Sequence, residues 1–289
     1  MKIAMTGSTG WIGTHLTASL QSLGHTVVPL ERRVFMDLPG HALEEKLDGC
    51  EAVVNLAGAP LNKSCWTASY RRELFESRVT TTRRLVNAIN KLTQAPKILI
   101  STSAVGYYSS RGCHDDHSTA VDDTFFSTLC QAWEEEALRV HDSIRLVRAR
   151  FGVVLSPDGG ALKRLLMPVR FGVLLAFGAP NHPFSWISLD DLLRAISFVL
   201  DGETISGAVN MVSPAHVANK AFYGAIADHY DPTITLRVPD WLVKWMLGQT
   251  AEILTLGQCA VPAKLMENGF TFHDPDLTAF FNRQEAQPS

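Results

Sequence analysis

Short apolar runs and longer amphipathic stretches alternate through the first half of the chain. The runs Lys2 to Thr6, Thr26 to Leu30 and Ala52 to Leu56 read as buried strands, and Trp11 to Leu23 repeats apolar residues at helical spacing. A long polar helix is predicted from Ala68 to Leu92, broken by Pro96 ahead of the strand-like run Lys97 to Ser101. Phe125 to Val140 reads as a further helix and Ile144 to Arg150 as a further strand. Strands separated by single helices are the pattern of β-α-β units around a parallel sheet.

Beyond Leu155 the character changes. Ser156-Pro157-Asp158-Gly159-Gly160 is a turn cluster, followed by an apolar helix, a Gly/Pro-rich loop from Gly178 to Pro183 and a helix from Leu189 to Leu200. Ser188 and Asp191 form a capping pattern at the start of that last helix. A strand near Ala208 to Val212 is expected to return to the sheet, and Gln284 to Ser289 to fray. The fold class expected is therefore α/β, a Rossmann-type doubly wound parallel sheet with a smaller, mostly helical C-terminal substrate or cap domain. The nucleotide-binding part takes residues 1–155 plus about 189–213, and the cap takes 156–188 and 214–289.

Composition narrows the function classes. With 46% hydrophobic residues, the 289-residue chain can bury a sizeable core. A net charge of -3 and no run of Lys and Arg longer than a pair argue against nucleic acid as a partner. No stretch approaches the roughly 20 apolar residues that span a bilayer, so no membrane association is expected. The five cysteines, Cys50, Cys65, Cys113, Cys130 and Cys259, are odd in number, far apart and never spaced C-x-x-C. Neither a disulfide framework nor a zinc site is expected from them, and no metal. A reducing compartment follows, and with no signal-type segment after Met1 the expected location is cytoplasmic. The sequon Asn62-Lys63-Ser64 is then a chance match.

The chemistry begins at Thr6-Gly7-Ser8-Thr9-Gly10-Trp11-Ile12-Gly13, which directly follows a predicted strand and opens a predicted helix. Glycines at those three places let the backbone turn and come close to a diphosphate, while the helix start offers unpaired N–H groups and a positive dipole end. The second strand ends about 20 residues on, as a dinucleotide site requires. At its tip stand Glu31, Arg32 and Arg33. An acidic residue there suits the ribose 2′-hydroxyl of NAD, and a guanidinium suits the 2′-phosphate of NADP. The two arginines favour NADP, with NAD as the alternative, although Arg33 alone reads as an ordinary surface charge. Asn55-Leu56-Ala57-Gly58 closes the strand that begins at Ala52, and its small residues would let a cofactor lie against the backbone.

The loop spaced G-x-x-G-x-x-G, Asn55-Leu56-Ala57-Gly58, Ser101-Thr102-Ser103-Ala104-Val105-Gly106-Tyr107-Tyr108 and Trp186-Ile187-Ser188-Leu189-Asp190-Asp191 together resemble the extended short-chain dehydrogenase/reductase superfamily. Gly152-Val153-Val154-Leu155, Asp158-Gly159-Gly160 and Asn210-Met211-Val212-Ser213-Pro214 are similar to its atypical "epimerase family" branch, related to nucleotide-sugar epimerases. The resemblance implies cofactor contacts from Gly7 to Gly13, Glu31, Arg32, Leu56, Ala57, Gly58, Glu73, Arg78, Ser101 and Val153. From the residues alone, Glu73 and Arg78 read equally well as a solvated helix face.

The superfamily's chemistry uses a Tyr and a Lys four residues apart, helped by a Ser. Ser103 matches the Ser, but the Tyr and Lys positions fall on Cys130 and Glu134. Glu in place of Lys reverses the charge that would favour a phenolate. Tyr107 and Tyr108 are the best substitute acids, because a strand-end loop in this fold points into the crevice, but they read more readily as pocket lining. Cys130, beside Glu134 to Glu136, reads as an inert buried thiol. His114-Asp115-Asp116-His117 has metal-ligating residue types but reads as a solvated loop, Asp190 and Asp191 as helix-start charges, and Trp186 as core or pocket lining. Two functional readings stand: an NADP-dependent oxidoreductase or epimerase-like enzyme acting on a small polar molecule through Ser103 and Tyr107, and a non-catalytic NADP(H) sensor like relatives labelled cell-division inhibitors. Oligomeric state stays open, with a homodimer as the candidate arrangement.

Overall fold

The computed structural model describes residues 1–36, 41–61, 66–239, 241–242 and 257–286. The Asn62-Lys63-Ser64 sequon and Cys65 lie outside them.

The chain begins by alternating β1 (Lys2–Thr6), α1 (Trp11–Ser22), β2 (Thr26–Leu30), α2 (Ala42–Leu47), β3 (Ala52–Asn55), α3 (Ala68–Phe75), α4 (Thr81–Ile89) and β4 (Ile98–Ala104). It continues with β5 (Cys113–His114), α5 (Phe125–Ala137), β6 (Arg145–Phe151), β7 (Val153–Ser156), α6 (Gly160–Val169), β8 (Val173–Ala176), β9 (Trp186–Ser188), α7 (Leu189–Asp201) and β10 (Gly207–Met211). The chain then adds α8 (Asn219–Tyr230), β11 (Ile234–Arg237), β12 (Cys259–Ala260), α9 (Ala263–Glu267) and α10 (Leu277–Ala286). Six strands form one parallel sheet in the order β10-β6-β4-β3-β1-β2. Its direction of winding reverses between β1 and β3, so the loops after those two strands diverge at their carboxyl ends and open a crevice there.

Strand side chains alternate between the two faces, and both faces are covered by helices. Ile3, Met5, Val54, Ile100 and Val147 pack under α1 and α7, against Leu16, Leu20, Leu192, Ile196 and Val199. Ala4, Val53 and Leu99 pack on the other side against Leu43, Leu47, Leu85, Val86 and Ile89 of α2 and α4. A separate core in the second half gathers Leu162, Leu174, Trp186, Phe222, Ile226, Phe280 and Phe281. Trp186 is 1% exposed and belongs to that core.

Four expectations need correction. The predicted helix from Ala68 is interrupted by a π-helical segment, Glu76–Thr80, between α3 and α4. Where fraying was expected from Gln284, α10 is helical to Ala286, because Phe280 and Phe281 anchor it. The loop His114 to His117 is not a solvated one: His114 and Asp116 are buried, with Asp116 accepting from the amides of Asn210 at 2.5 Å and Lys264 at 2.9 Å. The expected absence of disulfides is overturned by Cys113 and Cys259, bonded across the parallel pair β5·β12 despite a sequence separation of 146. Distance along the chain was a poor guide, because the topology lays the C-terminal segment beside the loop that follows β4. Among the described residues no helix is long and apolar enough to cross a membrane.

Candidate functional site

Gly7 takes φ +66°, a conformation that side chains with a Cβ rarely adopt, and a Cβ there would stand 2.7 Å from the carbonyl oxygen of Leu56. The β1 and β3 loops therefore touch at the crevice, and only glycine fits between them. At Gly13 an added Cβ would overlap the carbonyl oxygen of Gly7, so the glycine lets the first turn of α1 close on the loop. Gly10 donates its amide to Gly7 at 2.9 Å and forms the N-cap of α1 without a capping side chain. No acidic residue sits in that first turn. The amides of Trp11, Ile12 and Gly13 have no partner among the described residues, leaving three aligned donors at the positive end of the helix. This cradle fits the diphosphate of a dinucleotide. Ser8 and Thr9 line its rim, and the indole of Trp11 turns away to cover Gly159 and Gly160.

The β3 end is held by buried polar bonds that the sequence reading did not identify. Thr6 Oγ1 donates to Asn55 Oδ1 at 2.7 Å and accepts from the Ala57 amide at 3.0 Å. Asn55 Nδ2 donates to Thr82 Oγ1 at 2.8 Å, and Thr102 Oγ1 donates to the Asn55 carbonyl at 2.7 Å. Ser101 is buried with its hydroxyl 3.4 Å from Asn55 Nδ2, inside this network. Leu56 and Ala57 emerge from it half-buried, with Gly58 exposed. The signal was available in principle, since polar residues inside near-continuous apolar strands must find partners.

Arg78 is not on a solvated face. It is 7% exposed, donates to the carbonyls of Leu74 and Ala59, and lies so close under Gly58 that a Cβ there would stand 2.9 Å from its Cζ. Burial lowers its pKa to about 10, which still leaves it charged at neutral pH. Glu73, one turn earlier, is exposed. At the β2 tip Arg33 pairs with Glu31 at 2.7 Å, while exposed Arg32 forms no ion pair among the described residues. Val153 is half-buried, its amide bonded to the Ser185 carbonyl at 2.9 Å.

The positions where Tyr and Lys were sought hold a different device. Cys130 is fully buried, and burial together with Glu134 pushes its thiol up to about 12, so it is no nucleophile at neutral pH. Ser103 is 2% exposed, faces that thiol and has no nitrogen or oxygen partner. Glu134 receives Arg150 through a two-pronged pair at 2.7 and 2.8 Å and also Arg148 at 2.9 Å. Burial works against the Arg150 charge, yet the Glu134 carboxylate and the Tyr108 phenol outweigh it and hold the guanidinium above its ordinary value. That guanidinium stacks on Tyr107, 3.6 Å from the ring centroid, with Tyr108 at 4.7 Å. The sequence reading passed over Arg150, one of three arginines in β6 and the one most deeply buried.

Tyr108 is withdrawn as a candidate acid. Its side chain is wholly buried, its hydroxyl lies 2.8 Å from both the Asp115 carbonyl and Asn210 Oδ1, and burial raises its pKa. Tyr107 remains half-buried at the end of β4. Asp190 and Asp191 do more than charge the start of α7. Ser188 Oγ caps it by accepting from the Asp191 amide, while Asp191 accepts from the amides of His273 and Asp274, and Asp190 pairs with His273 and Arg283. A cleft of about 250 Å³ lies beyond, lined by Phe184, Ser185, Ser213, His216, Cys259 and Ala260.

Comparison with known proteins accords with this geometry. Residues 3–211 match the NAD dependent epimerase/dehydratase family, and residues 238–283 match a domain of unknown function, DUF1731. The human epimerase family protein SDR39U1 is 32% identical over 96% of this chain and 98% of its own length. The epimerase family protein Mb2239 of Mycobacterium bovis is 35% identical over 94% of this chain and 93% of its own. A crystal structure of human SDR39U1 (isoform 2) with NADPH superposes with a TM-score of 0.89 and 31% identity, covering 100% of both chains.

Proposed function

This chain belongs to the NAD dependent epimerase/dehydratase family, and from that premise we propose that it binds NADP(H) across the β1 and β3 loops and acts as an oxidoreductase or epimerase-like enzyme on a small polar substrate. The observation that carries the reading is the uncapped first turn of α1, directly after the β1 loop, whose amides at Trp11, Ile12 and Gly13 have no partner among the described residues. These amides hold the diphosphate, with Gly7 to Gly10 as the turn beneath it. Arg32 pairs with the 2′-phosphate, since Glu31 is already engaged by Arg33. That human SDR39U1 was crystallised with NADPH supports the same preference. Leu56, Ala57 and Gly58 lie along the cofactor, Arg78 supports Gly58 from below, and Ser101 holds the β3 end through Asn55. Val153 borders the nicotinamide side, and Glu73 the outer rim.

Bound NADP(H) supplies hydride exchange with a carbon of the substrate. Tyr107 is the group proposed to exchange a proton with the substrate oxygen, its ring held in place by the Arg150 guanidinium stacked against it. Ser103 stands behind it at the end of β4. The division into residues 1–155 with 189–213 and 156–188 with 214–289 is part of the proposal, with substrate entering between the two.

A second reading, a cofactor-binding regulator without turnover, draws support from one arrangement: Ser103 faces buried Cys130, and Glu134 is consumed by two arginines. Absorbance at 340 nm separates the two readings. Oxidation or reduction of the nicotinamide with any member of a panel of sugar nucleotides, aldehydes and ketones, lost in Tyr107→Phe, supports the enzyme. Thermal stabilisation by NADPH with no turnover across that panel supports the regulator.

A further inference from the structure

Cys113 and Cys259 are joined at the meeting of two segments far apart in the chain, and the two sulfurs differ in their surroundings. Cys113 is exposed on the loop after β4, whereas Cys259 is 7% exposed and has His216 Nδ1 at 3.3 Å from its Sγ. We infer that Cys113, Cys259 and His216 form a thiol–disulfide exchange site, open to low-molecular-weight thiols and disulfides, that reversibly staples the C-terminal segment to the loop bearing Tyr107.

The asymmetry sets the order of steps. An incoming thiolate attacks Cys113, the exposed member of the pair, in preference to Cys259, which is buried. Attack there forms a mixed disulfide on Cys113 and breaks the Cys113–Cys259 bond, so Cys259 leaves as the thiolate. His216 stands where it can hand a proton to that sulfur, which makes Cys259 the better leaving group. A second external thiolate then resolves the mixed disulfide, releasing Cys113 as a thiol and one molecule of external disulfide. In reverse, Cys113 takes one half of an external disulfide, and Cys259 gives its proton to His216 and displaces that half. The net oxidation converts two protein thiols and one external disulfide into the protein disulfide and two external thiols.

The staple sits where it matters to the cleft. Cys259, Ala260 and His216 form part of its wall, and Ala260 packs with Tyr107, Tyr108 and Val212. Ser185, just before β9, holds the same C-terminal segment, accepting from the Ala260 amide at 2.9 Å and donating to the Gln258 carbonyl at 2.7 Å. Among the described residues the remaining cysteines, Cys50 and Cys130, are buried free thiols, so the exposed chemistry is concentrated at Cys113.

The test uses the full chain equilibrated with glutathione at set ratios of oxidised to reduced form, then alkylated and mapped by mass spectrometry without reduction. A Cys113–Cys259 peptide is expected under oxidising ratios and its loss under reducing ones. Cys259→Ser should accumulate a glutathione adduct on Cys113, while Cys113→Ser leaves Cys259 unmodified in the native protein. His216→Gln should slow reduction by dithiothreitol at neutral pH by about tenfold or more. Absence of the cross-linked peptide at every ratio, an adduct on Cys259 in Cys113→Ser, or an unchanged reduction rate in His216→Gln each overturns the inference. None of these readouts depends on cofactor binding.

Discussion

Single atoms decide the cofactor loop. Gly13→Ala places a Cβ on the Gly7 carbonyl, so the first turn of α1 can no longer close on the loop. This variant is expected to keep its far-UV circular dichroism and lose saturable NADPH binding in a fluorescence titration. Arg32→Ala removes a charge-assisted contact of about 1.5 to 3 kcal/mol. It should weaken NADPH about tenfold to a hundredfold while leaving NADH unchanged. Cys130 gives a pH prediction with a definite sign. Its thiol is pushed from 9.0 to about 12 in the folded protein, so the unfolded chain releases that proton first. The stabilisation is complete below pH 9.0 and is lost as pH rises towards about 12. Denaturation midpoints measured across that range should fall more steeply for wild type than for Cys130→Ala.

Among the elements, α5 and β6 show how a family position can change its work. Glu134 on α5 was read from sequence only as a wrong charge where a Lys belongs; in three dimensions it anchors Arg150 and Arg148 of β6. Glu134→Gln should cost about 3 to 5 kcal/mol in chemical denaturation, because it strands a buried guanidinium. Glu134→Leu combined with Arg150→Met should recover part of that loss, whereas a simple sum of the single changes would contradict the pairing. Strands and helices of the six-stranded sheet's layers were legible because each follows its own hydrophobic period, and β2 runs from Thr26 to Leu30 as read. What escaped was partnership across the sheet. Neither Thr6 with Asn55 nor Glu134 with Arg150 has a local signature, because each bond joins residues that only the finished fold makes neighbours.

The whole chain combines a parallel sheet open at its carboxyl edge with a C-terminal segment that returns to it. The sheet and its crevice could be read from the glycine loop and the alternation of elements, but the return could not. Leu265 and Phe270 pack into the sheet's core, and Asp116 binds amides of both β10 and α9. The cysteine pair was misread for the same reason, its 146-residue separation hiding a contact between adjacent strands. Closing so long a loop stabilises a fold by about 2 to 5 kcal/mol, so reduction should lower Tm by several degrees in scanning calorimetry, and Cys113→Ser should remove that difference. The central claim, that free amides at the start of α1 and Arg32 at the β2 tip hold NADP(H), is tested most directly by calorimetric titration of wild type and Gly13→Ala with NADPH and NADH. Tighter binding of NADPH than NADH by about tenfold or more, abolished in Gly13→Ala, is the predicted result. Equal affinity for the two nucleotides, or undiminished binding by Gly13→Ala, would contradict it.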